Sequence, residues 1–395
     1  MSLLSVFNSV SITLSWDRVD FALWTLDVEP VMFLKVLIAP DKFKGTLTAG
    51  AAAQAIARGW QQVRPDDELH LLPITDGGDG FGAVMSGLAG ARAMKCKTVD
   101  AAHRSCNATW WWNAKTKIAV IESANIIGLA MLPPRKFHPF QLDTFGLGKV
   151  IQAAQAKGAK KILIGIGGSA TNDGGFGLAR ASGRKFLNAE NREIEEWTQL
   201  AQLHKIEPPP VQISAEIVVA VDVQNQLLGS RGATRIYGPQ KGLRPEDFRL
   251  AEGCLRKLTK IIHGAGPYAL VPGSGAAGGL GFGLLAFLGA KLTPGFALFS
   301  QYADLDERLA AADIVITGEG AIDRSTFMGK GVGEIARRCR KLKIPCIALG
   351  GTVEIRLGAK GFSRSFALTE LTSVQKAKAQ PALWLATLAA KAARQ

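Results

Sequence analysis

From Leu34 onward the chain alternates short runs of apolar, β-branched residues with stretches whose apolar positions recur every three or four residues. The runs predict strands at Lys35–Ala39, Glu68–Pro73, Ile118–Glu122, Lys161–Ile166, Glu216–Val221, Asp313–Thr317 and Ile344–Leu349. Several are apolar at successive positions, the pattern of a strand covered on both faces. Helical spacing predicts helices over Thr48–Arg64, Gly146–Lys157, Pro245–Ile262, Leu305–Ala312, Val332–Leu342 and Pro381–Arg394. Pro381 suits a first helical position, where a missing N–H costs nothing. Strands alternating with helices define an α/β fold with a largely parallel sheet. The stretch Lys95–Glu122 breaks that rhythm, because Thr109-Trp110-Trp111-Trp112-Asn113 reads as antiparallel hairpin. A second domain would therefore not simply repeat the first.

Length and composition narrow the picture. At 395 residues the chain has room for two domains, and 47% apolar with 20% charged residues excludes a disordered polymer. The longest uncharged stretch, Gly275 to Ala290, is shorter than the roughly 18–20 residues of a membrane span. Six of its residues are glycine, so it reads as a glycine loop entering a buried helix. Five cysteines, none in a C-x-x-C pair, fit neither a disulfide framework nor a zinc site, and no H-E-x-x-H occurs. The expectation is a cytoplasmic protein without a structural metal or a membrane anchor.

Formal charge is +14, and residues 1–33 contribute one arginine against four acids, so the basic excess lies downstream. That segment lacks the basic start of a signal peptide and reads as an extension ahead of a working start at Met32. The excess favours anionic partners such as nucleotides or phosphorylated metabolites. Its densest run, Arg337–Lys343, reads as the solvated last turn of a helix before Pro345. No RNP motif, zinc finger or aromatic-interleaved basic stretch accompanies it, which argues against nucleic acid.

Almost every predicted strand ends in a loop of glycine, hydroxyl and acidic residues. Lys35–Ala39 runs into Pro40-Asp41-Lys42-Phe43-Lys44-Gly45, and Glu68–Pro73 into Thr75-Asp76-Gly77-Gly78-Asp79-Gly80. Lys161–Ile166 runs into Gly167-Gly168-Ser169-Ala170-Thr171-Asn172-Asp173, Glu216–Val221 into Asp222-Val223-Gln224-Asn225, and Asp313–Thr317 into Gly318-Glu319-Gly320-Ala321-Ile322-Asp323. Ligands of open α/β sheets bind beyond the carboxyl ends of strands, so five such loops point to one shared site. Gly165-Ile166-Gly167-Gly168-Ser169-Ala170 also fits the dinucleotide pattern G-x-G-x-x-A, with Glu190 roughly twenty residues on. No Walker A loop is present, and Gly168-Ser169 fails the nucleophile-elbow spacing. The run Gly273–Gly281 offers either backbone N–H groups to an anion or tight packing against a neighbouring backbone. Glycine loops, the lysines Lys44, Lys241 and Lys330, and many carboxylates are the parts that phosphoryl transfer requires.

These motifs, in this order and spacing, resemble the type I glycerate kinases. Ala39-Pro40-Asp41-Lys42-Phe43-Lys44-Gly45, Asp76-Gly77-Gly78-Asp79-Gly80, Gly165–Gly175, Gly238-Pro239-Gln240-Lys241-Gly242 and Thr317-Gly318-Glu319-Gly320 carry the likeness, which spans Leu34 to the C-terminus. The resemblance implies ATP-dependent phosphorylation of D-glycerate to 2-phosphoglycerate with Mg²⁺. It also implies a Rossmann-like domain built from both chain ends, here residues 34–80 with 295–395, and a second α/β domain inserted over 81–294. The sequence departs from the family pattern at Lys42 (usually Ser), Asp79 (Glu), Phe81 (Thr), Ala321 (Arg) and Ser325 (Gln). An arginine absent at 321 removes a bidentate partner for a carboxylate or phosphate.

On this reading Lys44 and Lys241 meet the developing phosphoryl charge, and Asp222 orients or deprotonates the glycerate hydroxyl. Asp41, Asp76, Gly167, Gly168, Ser169, Thr171, Asn172, Asp173, Asn225, Gly275 and Gly278 hold substrate and phosphates, while Glu319 and Asp323 hold Mg²⁺ directly or through water. The partner is a small molecule, and self-association is left open. Two rivals stay open as well: a dinucleotide-dependent oxidoreductase and a sugar-acid-binding regulator on the same fold.

Overall fold

In the computed structural model the described residues are 33–262, 264, 266–328, 331–354 and 361–395. All of the N-terminal extension except Phe33, and Lys330 with it, lie outside them. Along the chain the strands begin with β1 (Lys35–Ile38), β2 (Glu68–Leu71), β3 (Arg92–Val99), β4 (Ser105–Asn113) and β5 (Ile118–Glu122). They continue with β6 (Lys161–Gly165), β7 (Lys185–Leu187), β8 (Lys205–Glu207), β9 (Glu216–Val221) and β10 (Lys291–Pro294). The last three are β11 (Ile314–Ile322), β12 (Cys346–Val353) and β13 (Arg364–Ala367).

One five-stranded sheet has the order β13-β12-β11-β1-β2, with every pairing parallel. It is thus made from the two ends of the chain. β2 lies on one side of β1 and the later strands on the other, so the order reverses between β1 and β11. A six-stranded sheet, β10-β9-β6-β5-β4-β3, is parallel from β10 to β5 and antiparallel through β4 and β3. β7 and β8 form a small antiparallel pair of their own. The α/β class with parallel-dominated sheets is the one that the alternation of patterns predicts.

Apolar side chains from both faces of each sheet explain the unbroken hydrophobic runs. Between the two sheets Phe81 and Met85, on the helix Phe81–Leu88, pack with Phe296 and Phe299, on the helix Gly295–Tyr302, against Leu37, Val315, Leu163 and Val218. The outer face of the first sheet is covered by helices Ala49–Gln61 and Pro381–Ala393, through Ile56, Trp60, Leu385 and Leu388. Helices Phe145–Ala156 and Ala276–Leu288 cover the far face of the second.

Local sequence sets the element ends. Thr48 caps the first helix by accepting the Ala51 N–H at 3.2 Å, so the helix starts one residue inside the expected span. Pro381 is at the first turn of its helix, as its backbone requires. Pro245–Asp247 forms a 3₁₀ turn ahead of the helix Phe248–Ile261. The expected break after Thr317 is absent: β11 continues to Ile322, pairing Gly318 with Leu349 and Glu319 with Gly350. Helices at Phe81–Leu88, Phe176–Ala181 and Gly295–Tyr302 leave no amphipathic signature, because they are short, glycine-containing and largely buried.

Candidate active site

The loops beyond β1, β2, β6 and β9 and the end of β11 converge on one cleft of about 1340 Å³. Its floor lies where the strand order reverses, the position at which open parallel sheets bind ligands. Asp41 N–H donates to the Gly318 carbonyl at 2.8 Å, tying the loop after β1 to β11. Gly167 brings the two sheets' loops together: a Cβ there would lie 2.7 Å from the Gly78 Cα, so any side chain would push the loops apart.

Of the residues singled out in the sequence, Lys44, Asp222, Lys241, Asp41, Asp76, Gly167, Gly168, Ser169, Glu319 and Asp323 all line this cleft. Thr171, Asn172, Asp173, Asn225, Gly275 and Gly278 stand behind its wall. The Thr171 hydroxyl pairs with the Ser169 hydroxyl at 2.9 Å, and its carbonyl accepts the Lys241 ammonium at 2.6 Å. Asn172 donates to Thr234 Oγ1, and its own Oδ1 is buried without a hydrogen-bond partner among the described residues. Asp173 is fully buried and takes N–H groups from Thr144, Gly175 and Gly177 as well as the Thr144 hydroxyl, so it ties the start of the helix Phe176–Ala181 to Thr144. Asn225 Oδ1 accepts the Tyr237 hydroxyl, fixing a ring that faces the cleft. Gly278 has φ +71°, and a Cβ there would meet the Thr171 carbonyl oxygen at 2.0 Å, which is the close-packing reading of its glycine run.

Among the lining residues given no role in the sequence are Lys42, Asp79, Glu122 and Trp111. Lys42 donates to the Asp79 carbonyl at 3.2 Å and lies 3.9 Å from Asp76 Oδ1. Asp79 shares that loop, and Glu122, the last residue of β5, accepts the Gly80 and Gly82 N–H groups at 2.8 Å each. Trp111 points into the cleft while Trp110 and Trp112 are buried on the other face of β4. An acid at the carboxyl end of a predicted strand was the available signal for Glu122, much as Asp222 is marked by following one directly.

The lining holds seven carboxylates and three lysines among the described residues, so the cleft is acidic although the chain is basic overall. The Asp41 carboxyl, 7% exposed, is pushed up to about 7 by burial and by the neighbouring Asp76. Burial, then Asp76, also raises Asp222, and burial raises Glu122 against the two N–H groups it accepts. Burial lowers the Lys241 ammonium to about 7. For Lys42 burial opposes the charge, but Asp76, Asp41, Asp79 and Asp222 together hold it above the ordinary lysine value. Glu319 accepts the Thr326 hydroxyl at 2.7 Å, and Asp323 accepts the Ser325 N–H at 2.7 Å, placing both acids at one turn.

No group of three or more His, Cys, Asp or Glu among the described residues is arranged to hold a metal alone. The residues fit Mg²⁺ nonetheless, since that ion takes one or two carboxylates and completes its shell with water and phosphate oxygens. An acidic lining receiving anions also calls for an accompanying cation. The dinucleotide reading loses its structural context: β6 leads into an extended loop, and no helix begins until Phe176, whereas the fingerprint must open a helix.

A glycine loop, ammonium groups and desolvated carboxylates at the switch point of a parallel sheet are the equipment of a small-molecule phosphotransferase. The comparisons narrow the class. Residues 36–395 match the model of the glycerate kinase family, and the chain belongs to that family. It is 38% identical over 325 residues to a glycerate kinase of Halalkalibacterium halodurans, covering 80% of this chain and 85% of that protein. It is 37% identical over 335 residues to glycerate 2-kinase of Escherichia coli K12, covering 82% and 87%. A crystal structure described as glycerate kinase 2 from Salmonella typhimurium LT2 superposes with a TM-score of 0.78 at 31% identity, covering 92% of this chain and 98% of that one. Membership implies a phosphoryl-transfer reaction using ATP. No helix among the described residues is long and apolar enough to cross a membrane.

Proposed function

We propose that this chain is an ATP- and Mg²⁺-dependent glycerate 2-kinase that converts D-glycerate to 2-phosphoglycerate. The observation that carries the reading is the convergence of Asp41, Asp76 and Asp222 with Lys44, Lys241 and the Gly167–Ser169 loop on one cleft. Asp222 orients the C2 hydroxyl and accepts its proton as that oxygen bonds to the terminal phosphorus of ATP, while the bond from that phosphorus to its bridging oxygen breaks and ADP leaves. Its raised pKa brings a carboxylate nearer the operating pH, where proton acceptance is most effective. Lys44 reaches the transferring phosphoryl group from the loop after β1. Lys241 approaches from the opposite wall, and an anion beside it would restore the charge that burial weakens. The backbone and Ser169 hydroxyl of the glycine loop receive phosphate oxygens.

Glu319 and Asp323 would hold Mg²⁺, directly or through water. The bound ion supplies neutralisation of phosphate charge, which this acidic cleft cannot supply from its lysines alone. We further propose that the sheet made from both chain ends forms one domain and residues 81–294 a second, with the cleft between them.

The test is ADP formation with D-glycerate, followed by enolase coupling without a phosphoglycerate mutase, so that only the 2-phosphate gives signal. Signal supports the assignment. ADP formation without it moves the phosphate to C3, and no ADP at all favours the regulator reading.

A further inference from the structure

The acceptor end of the cleft presents an electrostatic difficulty. Asp41, Asp76, Asp79 and Asp222 come from three separate strand ends, and the proposed acceptor is itself a carboxylate. Coulomb repulsion among such groups at a few ångströms is worth kcal/mol even in a well-hydrated site. One ammonium stands beside the loop that carries two of these acids, and its charge is coupled to all four. The Lys42 ammonium donates to the Asp79 backbone at 3.2 Å, sits 3.9 Å from Asp76 Oδ1, and is adjacent in sequence to Asp41, whose Oδ1 accepts the Lys42 N–H at 2.7 Å. Its side chain is 25% exposed, so it is neither free in solvent nor sealed in the core. A Cβ on Gly78 would lie 3.1 Å from this ammonium, so the acidic loop is moulded around it.

We propose that Lys42 is a charge-balancing residue of the acceptor site: its ammonium offsets the acids gathered at the ends of β1, β2 and β9, so that an anionic hydroxy acid can lie among them. The identity of that hydroxy acid rests on the glycerate kinase reading above. Lys42 acts through its neighbours and takes no proton and forms no bond in the reaction, which makes it a positioning residue. Asp222 is the neighbour through which the effect is read. The charged and titratable groups facing it are Asp76 and Asp79 from the loop after β2, Lys42 from the loop after β1, and Tyr237 from the helix Ala233–Lys241. Of these, Lys42 alone favours the ionised carboxylate.

Two measurements on the full chain test this. The first is kcat/KM for D-glycerate against pH for Lys42→Met, Lys42→Gln and Lys42→Arg. The neutral variants are expected to shift the acidic limb upward by about one pH unit, lowering kcat/KM about tenfold below it, chiefly through KM for glycerate. Lys42→Arg should keep the limb in place. The second is a carboxyl-carbon NMR titration of Asp222 in substrate-free protein, where Lys42→Met or Lys42→Gln should move the midpoint upward. An unmoved limb and an unmoved Asp222 midpoint overturn the proposal, as does an equal, pH-independent loss in Lys42→Arg and Lys42→Met. If the parent protein makes no ADP from D-glycerate, the glycerate reading fails by itself, and the Asp222 titration still decides the role of Lys42.

Discussion

Lys241 donates its ammonium to the carbonyl oxygen of Thr171 at 2.6 Å, joining the end of the helix Ala233–Lys241 to the loop that follows β6. That bond holds the lysine in a buried position where its charge is weakened, while Lys44 stands exposed on the other side of the cleft. Lys44 makes no hydrogen bond or ion pair among the described residues. The two cations are therefore differently prepared for the same anion.

Lys44→Met deletes an exposed charge and keeps most of the stem, so the fold should survive. Loss of one electrostatic contact to the transferring group should lower kcat by roughly 10²–10³-fold, or ~2.7–4 kcal/mol. Steady-state ADP release, with circular dichroism to confirm folding, checks this. Turnover within about threefold of the parent (~0.65 kcal/mol) would return Lys44 to the solvated surface.

Asp222→Asn should lower kcat on the order of 10²-fold or more, as expected for a positioned proton acceptor, with ATP affinity close to the parent. Calorimetric ATP titration beside initial-rate kinetics separates the two effects. Near-normal turnover would transfer the role to Asp41 or Asp76.

The pattern of the chain made much of this legible. β5 and β9 fall where apolar runs place them, and Asp222 follows β9 as the first residue past a strand. The wall and the lining of the cleft could not be separated that way. Asp173 and Asp222 are both acids in loops that follow strands, yet one accepts buried backbone N–H groups and the other faces the cleft, a difference set by tertiary packing alone. Lys42 stood out only as a departure from the family pattern and was given no role, because a lysine in a turn reads as a solvated charge until the loops after β2 and β9 are folded around it.

Asp41 predicts a pH dependence of stability. Its folded pKa of about 7 lies above the ordinary carboxylate value of 3.8. Between those values the folded chain keeps a proton that the unfolded chain releases, so its contribution to stability falls as pH rises and levels off above about 7. Asp41→Asn removes that titration. In substrate-free and Mg²⁺-free buffer the variant should gain about 1–3 kcal/mol over the parent at pH 8 and almost nothing at pH 4. Urea denaturation at both pH values measures the difference, and equal offsets would refute it.

For Asp173 the expected loss is in stability. Asp173→Ala leaves the buried N–H groups of Thr144 and Gly177 without acceptors, at about 1–3 kcal/mol each. Denaturant melts should show a decrease of on the order of 3 kcal/mol. A variant as stable as the parent would mean that water or a neighbouring group replaces the carboxylate.

The sheet built from both ends of the chain sets an order of events during synthesis. β1 pairs with β11 through Val36 and Ile314, so the amino-terminal strand emerges from the ribosome long before its central partner exists. All six strands of the other sheet lie between β3 and β10 in sequence and complete it in the meantime. Until β11 is made, the edge of β1 that it will cover stays unpaired and open to misassociation. Holdase chaperones would engage the nascent chain there, and slowing translation across residues 295–395 should lower the soluble yield more than slowing it across 81–294.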